Sequence, residues 1–182
     1  NHGVLFEYSI SSNSLTVLYN FVDTVSGANP NAELFEHSNG LLYTVTRHGG
    51  AYSKGSLISF DPVTNFVTKN ADFDSLHNGS NPWGELNELD NGNLIGLAFL
   101  GSQSNHGSIY EYNPLTDSLY AVNSFVNPTD GWLPLGKLTR CSDGKYYGNC
   151  FSGNVGNGAL FEYDANSRNR KIRFYFNFAN DG

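Results

Sequence analysis

The sequence predicts an all-β chain of stacked four-stranded antiparallel sheets, and three observations predict it. The first is a phrase that opens on glycine and returns about every 52 residues: Gly3-Val4-Leu5-Phe6-Glu7-Tyr8, Gly55-Ser56-Leu57-Ile58-Ser59-Phe60, Gly107-Ser108-Ile109-Tyr110-Glu111-Tyr112 and Gly158-Ala159-Leu160-Phe161-Glu162-Tyr163. Phe21, Phe73, Phe125 and Phe178 follow it at nearly the same interval. Pro30, Pro82 and Pro134 keep the interval, as do Leu34, Leu86 and Leu138, and Gly40, Gly92 and Gly144. The second is a succession of short runs rich in β-branched and aromatic residues, bounded by Asn, Asp, Gly and Pro. The third is that no segment holds apolar residues at i, i+3, i+4 and i+7 over a useful length, so helices are expected to be nearly absent. A period of roughly 40 to 50 residues built from short strands marks an array of propeller blades. One such unit cannot cover both its faces and must stack on its neighbours. The expectation is a β-propeller segment of about 3.5 repeats, one domain over 1–182, with repeats at approximately 3–54, 55–106, 107–157 and 158–182.

Within the unit from Ala28 to Phe73, residues 32–37 read as a first strand closed by the turn Ser38-Asn39-Gly40, and 41–46 return as a second strand. Residues 47–54 form a loop. Residues 55–60 are the third strand, turned by Asp61-Pro62-Val63-Thr64-Asn65, where Asp at i and Pro at i+1 suit a type I turn. Residues 66–73 are the fourth strand. Asn91-Gly92 and Asp143-Gly144 repeat the first turn with strong hairpin dipeptides, and Asn113-Pro114-Leu115-Thr116-Asp117 repeats the second. Apolar residues on both faces of the third strand, such as Val4, Leu5 and Phe6, suit a sheet covered on both sides. The chain thus reads as a leading strand pair (3–21), three blades (29–73, 81–125 and 133–178) and a stub ending Asn180-Asp181-Gly182.

Composition narrows the function classes. The net charge of −7 comes from 17 acidic and 10 basic residues without long runs, which argues against a nucleic-acid surface built on clustered Lys and Arg. No stretch approaches the ~18 apolar residues of a membrane span, and none resembles a signal peptide. Cys141 and Cys150 are the only cysteines. A tight hairpin between them places Cys141 opposite Tyr146, so a disulfide needs a bulge or a longer loop. Neither has metal-ligand spacing. Asn78-Gly79-Ser80 fits a glycosylation sequon.

The phrases Gly158-Ala159-Leu160-Phe161-Glu162-Tyr163-Asp164, Ser142-Asp143-Gly144-Lys145-Tyr146-Tyr147-Gly148, Gly79-Ser80-Asn81-Pro82-Trp83-Gly84-Glu85-Leu86 and Leu15-Thr16-Val17-Leu18-Tyr19-Asn20-Phe21 resemble the GloVer tandem repeat over the whole chain. The resemblance implies a propeller-like array in a large secreted or cell-surface protein, and it supplies no catalytic residues. The chain is also similar to kelch-type blades at His48-Gly49-Gly50, although Leu100-Gly101-Ser102 and Ser152-Gly153-Asn154 lack the double glycine.

Glu7, Glu111 and Glu162 share one column of the third strand, with Ser59 in the remaining copy. Two readings compete: a ring of carboxylates that binds a cation, or residues that accept hydrogen bonds wherever the fold repeats. The second is favoured, because a site needs residues that differ between blades. Such residues lie on the loops 47–54, 99–106 and 151–157 and on the connections 22–29, 74–81 and 126–133. They give Arg47, His48, Tyr52, His106, Asp130 and Trp132, with Trp83 just beyond, as candidate ligand-binding residues; His77 lies on the same connections. Exposed Trp and Tyr beside Asn, Asp and His suit sugar, and packing between blades is the competing role for both tryptophans. Trp132 has no aromatic counterpart at Ala28 or Ser80, which favours it over Trp83 as a ligand platform. His2 and His106 share a column, but a metal site there is not expected. No cofactor is expected either. No Ser sits in a nucleophile-elbow context, and the Asp-Gly turns lack the oxygen ligands of a calcium loop.

The function expected is a non-catalytic extracellular or cell-surface module that recognises a glycan or a protein partner through its loops. A glycan lyase or hydrolase working on the propeller face is the alternative, as is a structural spacer. A paired-carboxylate glycosidase needs two Asp or Glu roughly 5 to 10 Å apart in a cleft. Because the repeat is cut in mid-blade at both ends, the rest of a longer parent chain, or a second copy, is expected to complete the array.

Overall fold

A backbone hydrogen bond recurs at three places along the chain and sets the architecture. The carbonyls of His2, Lys54 and His106 accept from the amides of Asn29, Asn81 and Leu133, at 2.8, 2.8 and 2.9 Å. Each acceptor stands just before a repeated glycine, and each donor just before a repeated proline. The glycine and the proline are then forced together. A Cβ on Gly3, Gly55 or Gly107 would lie 2.5, 2.8 or 2.6 Å from Cδ of Pro30, Pro82 or Pro134. These glycines also have φ of +95 to +104°, which L-residues avoid. The sequence repeats glycine and proline in step because one fits against the other across a sheet-to-sheet junction.

The computed structural model describes residues 2–126, 131–153 and 157–177. β1 (Val4–Ser9) pairs with β2 (Ser14–Asn20), and a single helical turn, α1 (Asp23–Ser26), follows. Blade 1 has the order β3 (Phe35–Glu36), β4 (Leu42–Thr46), β5 (Ser56–Asp61), β6 (Phe66–Asp72). In blade 2 the first strand is split into β7 (Ser80–Pro82) and β8 (Asn87–Glu88). Both pair with β9 (Leu94–Leu100), which is followed by β10 (Ser108–Asn113) and β11 (Ser118–Ser124). Blade 3 is β12 (Trp132–Arg140), β13 (Tyr146–Ser152), β14 (Ala159–Asp164) and β15 (Asn169–Tyr175). All pairings are antiparallel. The all-β propeller-blade expectation therefore holds.

The first strands depart most from expectation. In blade 1 only Phe35–Glu36 of the expected 32–37 is a strand, with an isolated bridge from Ala28 to His48. The donor before each proline is left-handed (Asn29 φ 57°, Asn81 φ 52°, Leu133 φ 56°), and proline offers no amide to a ladder. In blade 2 the break contains Gly84 (φ +106°), where a Cβ would collide with the Gly136 carbonyl of blade 3. The first strands of neighbouring blades approach to backbone contact there.

The pairing of each third strand with its fourth shifts register at one repeated point, between Leu5 and Phe6, Leu57 and Ile58, Ile109 and Tyr110, and Leu160 and Phe161, because the fourth strand carries one extra residue there (Leu18, Asn70, Val122 or Arg173). The third-strand residue just past that shift also faces across to the second strand. Tyr110 lies opposite Gly96, and Phe161 opposite Gly148. A Cβ on either glycine would meet the ring carbon Cζ at 2.5 Å. In blade 1 the smaller Ile58 lies opposite Thr44. Ring and glycine are exchanged together for aliphatic and threonine, which preserves the packed volume.

Blades are held by aromatic insertion. Phe73 packs edge-on to Tyr110 with centroids 5.0 Å apart, and Phe125 to Phe161 at 5.4 Å. Around the first pair lie Tyr43, Val45, Leu57, Leu86, Leu94, Ala98 and Tyr112; around the second lie Ile95, Leu97, Ile109, Leu138, Tyr146 and Tyr163. The equivalent aromatic in blade 3 is Phe176, whose amide bonds the Gly158 carbonyl as Phe73 bonds Gly55 and Phe125 bonds Gly107. This corrects the assignment of Phe178, which lies outside the described residues, as do Asp130 and the terminal stub.

Arg140 lies opposite Tyr146, one residue away from the expected Cys141, and Cys150 lies opposite Pro134. Both cysteines are free thiols. Burial pushes the Cys150 thiol up to about 12. The sequon residue Asn78 is buried; its side chain accepts from the Asp74 amide at 2.8 Å and donates to the Asp72 carbonyl at 3.1 Å. It serves to hold the connection between blades 1 and 2. No helix among the described residues is long and apolar enough to cross a membrane.

Two stability predictions follow from these contacts. Phe73→Ala should cost about 3–5 kcal/mol in urea unfolding, whereas Phe66→Ala, at an exposed position, should stay within about 0.5 kcal/mol. Leu133 holds a left-handed conformation that its two counterparts meet with asparagine. Leu133→Asn should therefore raise stability by about 1 kcal/mol, the approximate cost of that conformation for an ordinary side chain.

Candidate functional site

On the side of the sheets where second strands run into third strands and one blade connects to the next, two junctions gather the sequence-derived candidates. At the junction of blades 1 and 2 the Arg47 guanidinium lies 4.1 Å from the Trp83 ring centroid. Phe99 flanks the same ring at 6.4 Å. Positions 47 and 99 are equivalent in the repeat, so an arginine and a phenylalanine from neighbouring units hold one half-buried tryptophan between them. His48 is exposed, and its Nδ1 lies 3.2 Å from Asn81 Nδ2, which also approaches the Arg47 carbonyl at 3.3 Å.

At the junction of blades 2 and 3, His106 and Trp132 meet with ring centroids 4.9 Å apart and planes at 45°. Both are half-buried. His106 Nδ1 and Trp132 Nε1 are shielded from solvent and have no hydrogen-bond partner; Arg47 Nε at the other junction is in the same condition. Buried polar atoms are normally paired; among the described residues Asn70 Oδ1 and the Tyr163 hydroxyl share this condition, so three of the five such atoms lie at the two junctions. Trp132 precedes the left-handed Leu133, so the indole and the strained residue are adjacent. Tyr52 belongs to neither group and stands out on its loop, 61% exposed.

The repeated glutamates do not form a ring. Glu7 is exposed, whereas Glu111 and Glu162 are buried and take partners mainly within their own sheets. Glu111 accepts from Tyr120 at 3.1 Å and from Asn93 at 3.4 Å. Glu162 binds Lys145 at 2.8 Å, Arg173 Nε at 2.7 Å and Tyr147 at 3.2 Å. Lys145 and Arg173 hold its carboxyl down at about 2. Among the described residues no group of three or more His, Cys, Asp or Glu is placed to hold a metal.

Two groups escaped the sequence reading. Beside the first strands Glu85, in the break between β7 and β8, pairs with Lys137 of β12, and Glu33 approaches Glu85; Lys137 holds the Glu85 carboxyl below its ordinary range. The alignment of 33, 85 and 137 with the repeat was the available signal. On the opposite side of the sheets, a cleft of about 460 Å³ between blades 2 and 3 is lined by Asp90, Glu111, Arg140, Tyr146, Asn166 and Arg168 among others. Arg140 bonds Asp90 at 2.8 Å, and Arg168 lies 3.9 Å from Glu111. In two other units the third-strand tyrosine donates to the next hairpin turn, Tyr8 to Asn13 and Tyr112 to Asp117. Arg168 stands at that position in blade 3 and cannot accept, which leaves the buried Tyr163 hydroxyl without a partner.

Comparison with known proteins decides the family. Residues 1–182 match the Gloeobacter/Verrucomicrobia repeat. The chain belongs to that family. No curated protein matches it. Among solved structures it is similar to the TolB protein of Acinetobacter baumannii (TM-score 0.59, 15% identity, covering 93% of this chain and 37% of that one). It is also similar to the extracellular domain of BT3049 from B. thetaiotaomicron (TM-score 0.62, 14% identity, 93% and 21%). The extracellular domain of BT4673 from the same organism gives a TM-score of 0.58 at 12% identity, with 97% and 27% covered. At these identities the likeness is one of fold, and the repeat chain spans well under half of each of these structures.

The Glu162 cluster makes a pH prediction. Its folded-state carboxyl is held below the ordinary value, so its contribution is present above about pH 4.5 and lost as pH falls towards about 2. Urea midpoints measured across that window should fall less steeply in Glu162→Gln than in the wild type.

Proposed function

We propose that this repeat chain is a non-catalytic recognition module, working outside the cell or at its surface, that binds a glycan or a protein partner through the two aromatic junctions. The His106–Trp132 pair carries the reading. It breaks the repeat, it pairs two rings across a blade boundary, and both rings hold an unused polar nitrogen. Such a pair offers a half-buried ring face for stacking. Arg47 on Trp83 offers a second platform at the previous junction, with His48 beside it. Tyr52 and Asp130 are proposed as outlying contacts from the neighbouring loop and connection.

Support for the location comes from the extracellular domains with the same fold. Support for binding over structural spacing comes from the contrast between columns. Repeated residues such as Phe73, Phe125, Glu111 and Glu162 are taken up by packing and internal bonds, whereas Arg47, Trp83, His106 and Trp132 pair off at the two junctions.

The test is a glycan array and a surface-protein pull-down with the wild-type chain, followed by titration of Trp132→Ala. A stacking platform predicts a loss of roughly 10- to 100-fold in affinity with the fold retained. A purely packing role predicts instead a drop of about 3–5 kcal/mol in stability. Release of product from any polysaccharide would replace the module by a glycan-active enzyme, and an absence of any ligand would leave a spacer.

A further inference from the structure

Two columns of the repeat reverse charge together at the cleft between blades 2 and 3. Glu36, Glu88 and Arg140 close the first strands, and Asn65, Asp117 and Arg168 stand just before the fourth. At the junction of blades 1 and 2 both positions are carboxylates with partners in place. Glu88 accepts from the Ser38 amide at 2.9 Å, and Asp117 from the Tyr112 hydroxyl at 2.5 Å. One unit later both are guanidiniums, and both line the cleft of about 460 Å³. Blades 2 and 3 supply its two walls, so an internal junction sets its shape.

Arg168 stands there at a local cost. Its φ is +56°, and the other units meet this conformation with Asn13, Asn65 and Asp117, of the side-chain types that tolerate it best. Asn13 and Asp117 also accept from the tyrosine of their own third strand, whereas the buried Tyr163 hydroxyl beside Arg168 has no partner. Strained backbone and unpaired buried groups gather where a site requires a particular side chain. The segment is held in place all the same. Asn123 of blade 2 donates to the Arg168 carbonyl at 3.1 Å and accepts from Arg170 Nε at 2.9 Å.

Both guanidiniums are open to an incoming anion. Arg140 holds Asp90, whose side chain is 82% exposed, and an exposed pair of this kind contributes little. Arg168 stands 3.9 Å from Glu111, beyond hydrogen-bond distance, and Glu111 is already engaged by Tyr120 and Asn93. Once Asp90 turns outwards into water, two planar forks face the cleft, and such forks match a carboxylate. The side-chain amides of Asn91 and Asn166 line the same cleft beside Leu89. Amides suit sugar hydroxyls, since they both donate and accept, and an apolar edge suits the C–H face of the ring. The volume is that of a small-molecule site.

We propose that this cleft binds a hexuronate, with its carboxylate on Arg140 and Arg168 and its hydroxyls on Asn91 and Asn166. The site is separate from the aromatic junctions, which lie on the opposite side of the sheets and share no residue with it.

Calorimetric titration with digalacturonate, dimannuronate and their methyl esters tests it. At least one of the two acids should bind with a dissociation constant of about 1 mM or below. Its ester, with the same rings and no charge, should bind roughly 10-fold more weakly or worse. Arg140→Gln should weaken the acid by roughly 10-fold and leave the thermal midpoint unchanged. Arg168→Asn should weaken it by roughly 10-fold and raise the midpoint by about 2–4 °C, because it restores the turn residue and the tyrosine partner of the other units. Trp132→Ala should leave uronate binding as it is. No binding of either acid up to about 10 mM overturns the proposal, as does an ester that binds equally well. An Arg168→Asn variant that binds like the wild type, or melts lower, makes Arg168 a structural residue and also overturns it. Equal binding of triglutamate reassigns the cleft to an acidic peptide and overturns the sugar.

Discussion

Close approach of a glycine to a proline across each blade boundary is the constraint on which the rest of the chain depends. The glycine begins a third strand, the proline begins the next blade, and no side chain fits between them. The adjoining backbone bond fixes the distance and offset of successive sheets. Once that offset is fixed, the aromatic after each fourth strand has one place to go, and Tyr110 or Phe161 of the next third strand is there to receive it. Hydrophobic burial supplies most of the energy, but the small glycine and the rigid proline decide which surfaces meet.

The strands that form hairpins were legible in the sequence because their signals are local. Asn91-Gly92 and Asp143-Gly144 turn where such dipeptides must, and Asp61-Pro62 opens the next turn as read. The first strands were much less legible. Their pairing is broken by prolines and by left-handed residues whose conformation answers to a neighbouring blade, which a linear reading does not see. Phe176 was displaced to Phe178 for a different reason. The interval from Gly107 to Gly158 is one residue shorter than the two before it, and Phe176-Asn177-Phe178 offers two rings two positions apart. The 18-residue spacing from glycine to aromatic, kept at 3–21, 55–73 and 107–125, selects Phe176, as the Gly158 bond does.

The candidate residues were legible by type and not by grouping. Departure from the repeat pointed to Arg47, His48, His106, Trp83 and Trp132, yet pairing Arg47 with Trp83 and His106 with Trp132 requires knowing that each loop leans over the following blade. Tyr52 shows the reverse case: it has the right chemistry in the right loop and stands apart from both pairs. The glutamate column looked most like a site and proved to be internal wiring, because each buried carboxylate finds donors nearby.

The polar contacts that bridge successive blades differ from one junction to the next. Ser38 bonds Glu88 between blades 1 and 2, and one unit later Asp90 bonds Arg140. Neighbouring repeats with interchangeable sequences risk pairing out of order as they fold, since any blade would fit any other. Here the acidic residue that receives Ser38 is replaced by an arginine in the following unit, so a blade that skipped its neighbour would set Ser38 against Arg140 in place of Glu88. The contacts thus act as an address, giving nearly identical building blocks a fixed sequence of assembly.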